Sequence, residues 1–390
     1  MSSKDIIGIV GAGTMGAGIA QVAATAGHEV LLTDASSEAL IEARDNLIRI
    51  LNRQVEKQRM TDPEAKAILG RISFVDGMTG MREAGLIIEA IVERLDVKQT
   101  VFRALEALVA PDCVLATNTS SLSVTSIAGA CAHPQRVLGI HFFNPAPLMR
   151  LVEIVPAAQS DPDTVSNARQ LIDDWGKTTV LAKDTPGFIV NRVARPYYSE
   201  ALRILEEGLA DVPTIDWALT GIGGFKMGPF TLMDYIGNDV NYAVTESVWK
   251  ACYYEPRYKP AFTQKRLVEA GYLGRKSGRG YYHYGDQAVN PEARRDDALG
   301  QQIVERVVVM LINEAADALY WGVASKEDID LAMTRGVNYP KGLFAWADEL
   351  GVQHVVDTLD RCFAWYHEER YRCSPLLREM ARDRAQFYPR

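Results

Sequence analysis

Cysteine is scarce in the sequence and poorly arranged for a disulfide frame or a zinc site. Its five residues, Cys113, Cys131, Cys252, Cys362 and Cys373, are odd in number and form no C-x-x-C pair. Scattered thiols of this kind are expected to be reduced, as in a cytoplasmic protein, and no metal site is expected. No run of about 18 or more apolar residues occurs, so no membrane span is expected. The apolar stretch of the N-terminal MSSKDIIGIV is too short for a signal peptide. Positive charge is in deficit: 42 Lys and Arg stand against 50 Asp and Glu, a formal net charge of −8. That leaves no broad basic field for nucleic acid or an anionic membrane. An acidic chain that handles an anionic ligand must hold it with local basic groups. What remains is a composition that buries a core, 47% hydrophobic and 24% charged over 390 residues, enough for two or three domains.

The first half of the chain alternates short apolar runs with amphipathic stretches. Residues 6–10, 29–34, 86–90, 113–117, 137–141 and 151–155 read as strands, and 15–26 and 95–108 as helices. Such alternation implies a mostly parallel sheet with helices on both faces, the Rossmann-type α/β class. Residues 36–70 are longer than one crossover needs and are charged, so a helical hairpin projecting from the sheet is expected there. The pattern changes at Asp184-Thr185-Pro186-Gly187, after which helical runs dominate. Residues 285–300, polar and containing Pro291, read as a linker. The segments flanking it are repeats. SEALRILEEGLADVPTIDWALTGIGGFKMGPFTLMDYIG, from Ser199, aligns without gaps on NEAADALYWGVASKEDIDLAMTRGVNYPKGLFAWADELG, from Asn313. Glu200/Glu314, Gly208/Gly322, Ile215/Ile329, Asp216/Asp330, Gly228/Gly342 and Gly237/Gly351 match. The domains expected are therefore a dinucleotide-binding domain with a hairpin insertion over 1–187, an all-α domain over 188–287, and a second copy of it over 298–390.

The run 6–10 leads directly into Gly11-Ala12-Gly13-Thr14-Met15-Gly16 and then a helical pattern. This is G-x-G-x-x-G in the context that gives it meaning. The glycines allow the tight turn, the approach of a pyrophosphate to the backbone and close helix–strand packing. The phosphates then meet the free amides at the helix start, including those of Thr14 and Met15. Asp34 ends the next strand, where a carboxylate meets the ribose hydroxyls. It would repel a 2′-phosphate, and no Arg or Lys follows until Arg44. NAD is therefore the expected cofactor, rather than NADP.

Four further stretches stand in order: Asn118-Thr119-Ser120-Ser121-Leu122, His141-Phe142-Phe143-Asn144-Pro145-Ala146-Pro147, Leu151-Val152-Glu153, and Pro186-Gly187-Phe188-Ile189-Val190-Asn191-Arg192. With the glycine loop, the series resembles the 3-hydroxyacyl-CoA dehydrogenase family over almost the whole chain. The resemblance implies NAD-dependent, reversible oxidation of an (S)-3-hydroxyacyl-CoA to a 3-oxoacyl-CoA, in a nucleotide domain followed by a helical domain with substrate between them. It puts Ser120, His141, Glu153 and Asn191 in the catalytic set. Glu93 and Lys98 correspond to family positions near the nicotinamide and ribose, with an ordinary helical ion pair as the competing reading. Asn118 and Asn144 are secondary candidates for the cofactor. Arg53, Lys57 and Arg59 fall where the family's basic CoA contacts lie, with a solvated helix face as the alternative, and Glu56 departs from that basic character. The chemistry agrees. Hydride removal from a carbinol carbon needs a base for the hydroxyl proton, and histidine titrates near neutrality. A carboxylate at Glu153 fixes the ring's tautomer and stabilises the imidazolium. Ser120 and Asn191 offer hydrogen bonds to the reacting oxygen and the thioester carbonyl, where charge develops.

Short members of the family pair two chains through a single helical unit. Here the second copy is expected to take the partner's place as an intramolecular pseudo-dimer. Its residue aligned with Asn191 is Glu305, so it carries no second site. The stretch 192–201 and the C-terminal 368–372 resemble the two-repeat branch of phenylacetate catabolism that acts on 3-hydroxyadipyl-CoA, although the mid-chain spacer of some of those enzymes is absent; 3-hydroxybutyryl-CoA is the other candidate. Arg195 reads as a surface arginine, with contact to a distal carboxylate as the alternative. A sugar-acid dehydrogenase or lens-type structural relative would share the glycine loop without needing Ser120, His141, Glu153 and Asn191 together. A hydratase-fused multifunctional enzyme would need a segment ahead of the loop. A 6-phosphogluconate-type dehydrogenase would place a lysine near the point where Asn191 stands.

Overall fold

The computed structural model describes residues 6–389. The chain folds as two units, the first ending at Phe188 and the second beginning at Ile189.

The first unit is an eight-stranded sheet of β1 (Ile6–Val10), β2 (Val30–Thr33), β3 (Ile72–Phe74), β4 (Ala84–Glu89), β5 (Val114–Thr117), β6 (Val137–Phe142), β7 (Leu151–Pro156) and β8 (Thr178–Leu181). The spatial order is β3-β2-β1-β4-β5-β6-β7-β8. Every neighbouring pair is parallel except β6 and β7. Central strands such as β1, IIGIV, are near-continuous apolar runs because a parallel sheet is covered on both faces. The helices are α1 (Thr14–Thr25), α2 (Ser37–Glu56), α3 (Asp62–Gly70), α4 (Leu95–Leu108), α5 (Val124–Ala128) and α6 (Pro162–Asp174). The hairpin of α2 and α3 does not stand away from the sheet along its whole length. Ala43, Leu47 and Leu51 of α2, with Ala65 and Ile68 of α3, join the same buried core as Ile7, Ile9 and Leu32. Ser36 caps α2, and a Thr61–Glu64 capping box starts α3. The edge strands β3 and β8 are two elements the sequence pattern does not reveal.

The second unit is helical: α7 (Val190–Val193), α8 (Arg195–Glu206), α9 (Val212–Trp217), α10 (Pro229–Ile236), α11 (Asn238–Ala251), α12 (Phe262–Glu269), α13 (Asp297–Tyr320), α14 (Lys326–Gly336), α15 (Leu343–Leu350), α16 (Val352–Tyr366) and α17 (Pro375–Asp383). The repeat alignment matches α7 and α8 to α13, and α9 to α11 to α14 to α16. Equivalent side chains do equivalent work. Asp216 Oδ1 accepts the Phe230 N–H at 2.9 Å, and Asp330 Oδ1 accepts the Phe344 N–H at 2.9 Å. Asp234 accepts from the amides of Tyr281 and Tyr282, and Asp348 from those of Phe387 and Tyr388. The copies also exchange partners. Arg192 Nε donates to Glu314 Oε1 at 2.9 Å, and its counterpart Arg306 donates from Nε to Glu200 Oε1 at 2.6 Å. Glu314 also accepts the Tyr258 hydroxyl, while Glu200 accepts that of Tyr371. One difference is local. α13 is continuous where the first copy breaks between α7 and α8. The break precedes Pro196, which has no N–H for the carbonyl four residues back, whereas the second copy has Met310 there.

Candidate active site

The strand ends of the first unit gather most of the residues singled out above. β1 delivers Gly11, whose φ is +107° and whose N–H donates to Thr33 O at 2.8 Å. A Cβ on Gly16 would lie 1.7 Å from Gly11 O, so only glycine lets α1 start this close to the strand. Gly13, Thr14 and Met15 follow at the start of α1. Gly13 provides no side-chain cap there, and a Cβ built on it meets nothing within 4 Å. Free first-turn amides facing open space form a phosphate cradle, and the loop fits a dinucleotide. Beside it lies a cleft of about 560 Å³, walled on the other side by Glu42, Asn46 and Arg49 of α2. Sequence reasoning did not flag these α2 residues; their spacing of three and four on one helix face was the available signal.

Asp34 follows β2 and does more than the motif suggests. Its Oδ2 accepts the Ala12 N–H at 2.7 Å and its Oδ1 the Ser36 N–H at 3.0 Å. The carboxylate thus ties the glycine loop to the β2 end and retains lone pairs for a ribose hydroxyl.

Glu93 and Lys98 form an ion pair at 3.3 Å, and Lys98 is buried with a second and closer partner, Glu89 Oε1 at 2.5 Å. Glu89, the last residue of β4, also accepts from Thr117 Oγ1 at 2.8 Å and the Ile91 N–H at 2.7 Å. It was not anticipated, although an acid closing an apolar strand is a visible signal. Glu93 Oε1 in turn takes Thr119 Oγ1 at 2.6 Å, the Ser120 N–H at 3.1 Å and Ser121 Oγ at 3.0 Å. Burial alone would raise the Glu93 carboxyl, but the Lys98 ammonium and these donors outweigh it and hold its pKa below the ordinary value. In this geometry Glu93 and Lys98 fix the loop that carries Ser120. Asn118 fixes the same loop to the next strand, its Oδ1 accepting the Phe142 N–H at 2.8 Å.

β6 and β7 are antiparallel, and their register sets His141 directly opposite Glu153. Both are buried, and His141 Nδ1 lies 2.7 Å from Glu153 Oε2. The rings of Phe143 and Phe188 pack on the imidazole at centroid distances of 4.5 and 5.8 Å. Phe188 adopts a φ of +47°, a strained conformation for a bulky residue. The turn after His141 is held by Lys177, whose Nζ donates to Ala146 O at 2.6 Å and Met149 O at 2.8 Å; burial pushes its pKa down to about 8. Asn144, on that turn, is exposed.

The remaining candidates stand on other elements. Arg53, Lys57 and Arg59 are exposed at the end of α2. Asn191 belongs to the second unit, on α7. Arg195, read above as a surface arginine, is not one: it is 5% exposed, in the first turn of α8.

Comparison with known proteins identifies the family. The model of the 3-hydroxyacyl-CoA dehydrogenase NAD binding domain matches residues 6–185. That of the 3-hydroxyacyl-CoA dehydrogenase C-terminal domain matches twice, over 187–284 and 303–386. The chain is 39% identical to the 3-hydroxyadipyl-CoA dehydrogenase of Escherichia coli K12, with 98% of each chain covered. It is 38% identical to a 3-hydroxybutyryl-CoA dehydrogenase of Mycobacterium tuberculosis, over 71% of this chain and 98% of that one. The crystal structure of a 3-hydroxybutyryl-CoA dehydrogenase from Escherichia coli K12 superposes with a TM-score of 0.91 at 39% identity, covering 97% of this chain and 98% of that one.

Proposed function

The chain belongs to the 3-hydroxyacyl-CoA dehydrogenase family and catalyses the NAD-dependent interconversion of 3-hydroxyacyl-CoA and 3-oxoacyl-CoA thioesters, and from that premise we propose that His141 is its general base and Glu153 the residue that orients it. The observation carrying this reading is the buried 2.7 Å contact between His141 Nδ1 and Glu153 Oε2. A carboxylate accepts only, so it holds the ring proton on Nδ1 and leaves Nε2 to take the proton of the substrate hydroxyl. The same carboxylate stabilises the imidazolium that results. Bound NAD supplies the hydride acceptor, held by the Gly11–Gly16 loop and Asp34. Ser120, on a loop braced by Glu93 and Asn118, hydrogen-bonds the reacting oxygen. Asn191 hydrogen-bonds the thioester carbonyl. Arg53, Lys57 and Arg59 meet the CoA phosphates as exposed point charges.

The domains we propose are the nucleotide domain, 1–187, and two helical copies, 188–287 and 298–390. The second copy serves as an intramolecular partner of the first and carries no site of its own, since Glu305 stands at the asparagine position and bonds His354 at 2.6 Å. Five free cysteines support a reducing, cytoplasmic setting. The substrates are thioesters of the kind named for the relatives, 3-hydroxyadipyl-CoA or 3-hydroxybutyryl-CoA.

The test is His141→Ala. Turnover is expected to fall about 10²- to 10⁴-fold, the usual worth of general-base catalysis, while NADH binding by fluorescence titration is retained. Turnover within a few-fold of wild type would remove His141 from the mechanism.

A further inference from the structure

Arg195 is a buried cation without an anion. Its Nη1 donates to Thr245 Oγ1 at 3.0 Å and its guanidinium lies 4.9 Å from the centre of the Tyr198 ring. Its Nε is buried with no hydrogen-bond partner. Among the described residues no carboxylate pairs with it, in contrast to the neighbouring Arg192, which meets Glu314. Burial pulls the guanidinium's pKa down, and the groups opposing that are the phenols of Tyr198 and Tyr339. Tyr339, from the second helical copy, is 7% exposed, and its hydroxyl is a second buried polar atom without a partner. Burying a guanidinium without a counter-charge is costly, so its presence needs a reason.

The repeat shows that folding is not the reason. The residue matched to Arg195 in the second copy is Val309, which is fully buried inside the continuous α13. The scaffold therefore accommodates an apolar side chain at this place. Arg195 and Pro196 replace Val309 and Met310 only in the copy that carries Asn191. Asn191, on α7, and Arg195, at the start of α8, stand four residues apart across the break at Ala194, about 6 Å at a helical rise. That spacing suits two groups reading one extended chain, a thioester end and a far end.

We propose that Arg195, with the hydroxyl of Tyr339, binds a carboxylate at the distal end of the acyl chain, making dicarboxylic 3-hydroxyacyl-CoA thioesters the preferred substrate class. This rests on the dehydrogenase reading above. The ligand supplies the missing counter-charge, and a planar guanidinium suits a carboxylate. A methyl-terminated chain of equal length would leave the buried cation unpaired, and sites built for a polar group reject analogues that lack it. It also gives the second copy a part in substrate choice through Tyr339.

The experiment compares 3-oxoadipyl-CoA with 3-oxohexanoyl-CoA, which replaces the carboxylate by a methyl group, using NADH and the full chain. Wild-type kcat/KM is expected to favour the dicarboxylic substrate by about 10²-fold or more. In Arg195→Met that ratio should collapse towards unity, and in Tyr339→Phe it should fall about 10-fold, the worth of one hydrogen bond to a charged group. If Arg195→Met does not fold, the wild-type ratio and Tyr339→Phe decide. Good turnover of both substrates with a wild-type ratio near one overturns the assignment of Arg195 alone. Absence of turnover with these substrates and with acetoacetyl-CoA, NADH still binding, overturns the dehydrogenase reading itself.

Discussion

At the scale of single residues, the candidate site is a set of polar groups held by other polar groups. Glu93 is the clearest case, since one carboxylate oxygen takes three donors from the Ser120 loop. Its pKa is lowered in the folded chain. The contribution it makes is therefore complete above the ordinary carboxylate range and is lost as pH falls through the lowered folded value. Acid should release the 118–122 loop before the domain unfolds. Glu93→Gln should loosen it at neutral pH, seen as faster amide hydrogen exchange at 119–121; unchanged exchange would show that the loop does not depend on the charge. Asp34 leads to a second prediction. A 2′-phosphate would be set against a carboxylate already fixed by the Ala12 amide, so NADH should be preferred to NADPH by on the order of 10²-fold in kcat/KM. Comparable efficiency with both cofactors would show that Asp34 does not face the ribose.

At the scale of elements, register and helix continuity decide what residues can do. The β6–β7 register sets His141 opposite Glu153; a one-residue slip would turn one of them to the other face of the sheet. In the helical unit the exchange between α8 and α13 depends on Arg306. Its Nε donates to Glu200 and its Nη atoms to Glu207 at 2.7 and 2.8 Å, and it lies 4.9 Å from the Tyr366 ring centre. Removing one member of a buried ion network leaves the others uncompensated. Arg306→Ala should cost about 3–5 kcal/mol, read as a lower urea midpoint for the helical unit. A midpoint unchanged within error would mean that solvent reaches these carboxylates.

At the scale of the whole molecule, α8 of the first helical copy packs against α13 of the second. Leu202 and Ile204 of α8 and Val307, Leu311 and Ala315 of α13 are all buried. A chain ended after Asp286 would expose the face of α8 that α13 covers, and a large apolar patch drives association. We expect such a chain to dimerise or to become insoluble. A truncated protein that stays monomeric by light scattering and fully active would show that the second copy is dispensable.

By itself the sequence determined the strand–helix alternation, the glycine loop, the tandem copies and the ordered motifs around Ser120, His141, Glu153 and Asn191. These are local patterns, and periodicity and turn chemistry record local conformation. It did not disclose the edge strands β3 and β8, whose ISF and TTVL carry only two apolar residues each and so form no apolar run, nor that Lys98 is shared between Glu93 and Glu89. Nor did it show that Asp34 braces the glycine loop, or that Arg195 is buried beside Thr245, fifty positions away. Only the tertiary structure decided these, because burial and partnership arise between residues far apart in the chain. An arginine in a helical run reads the same whether its neighbours in space are water or tyrosines.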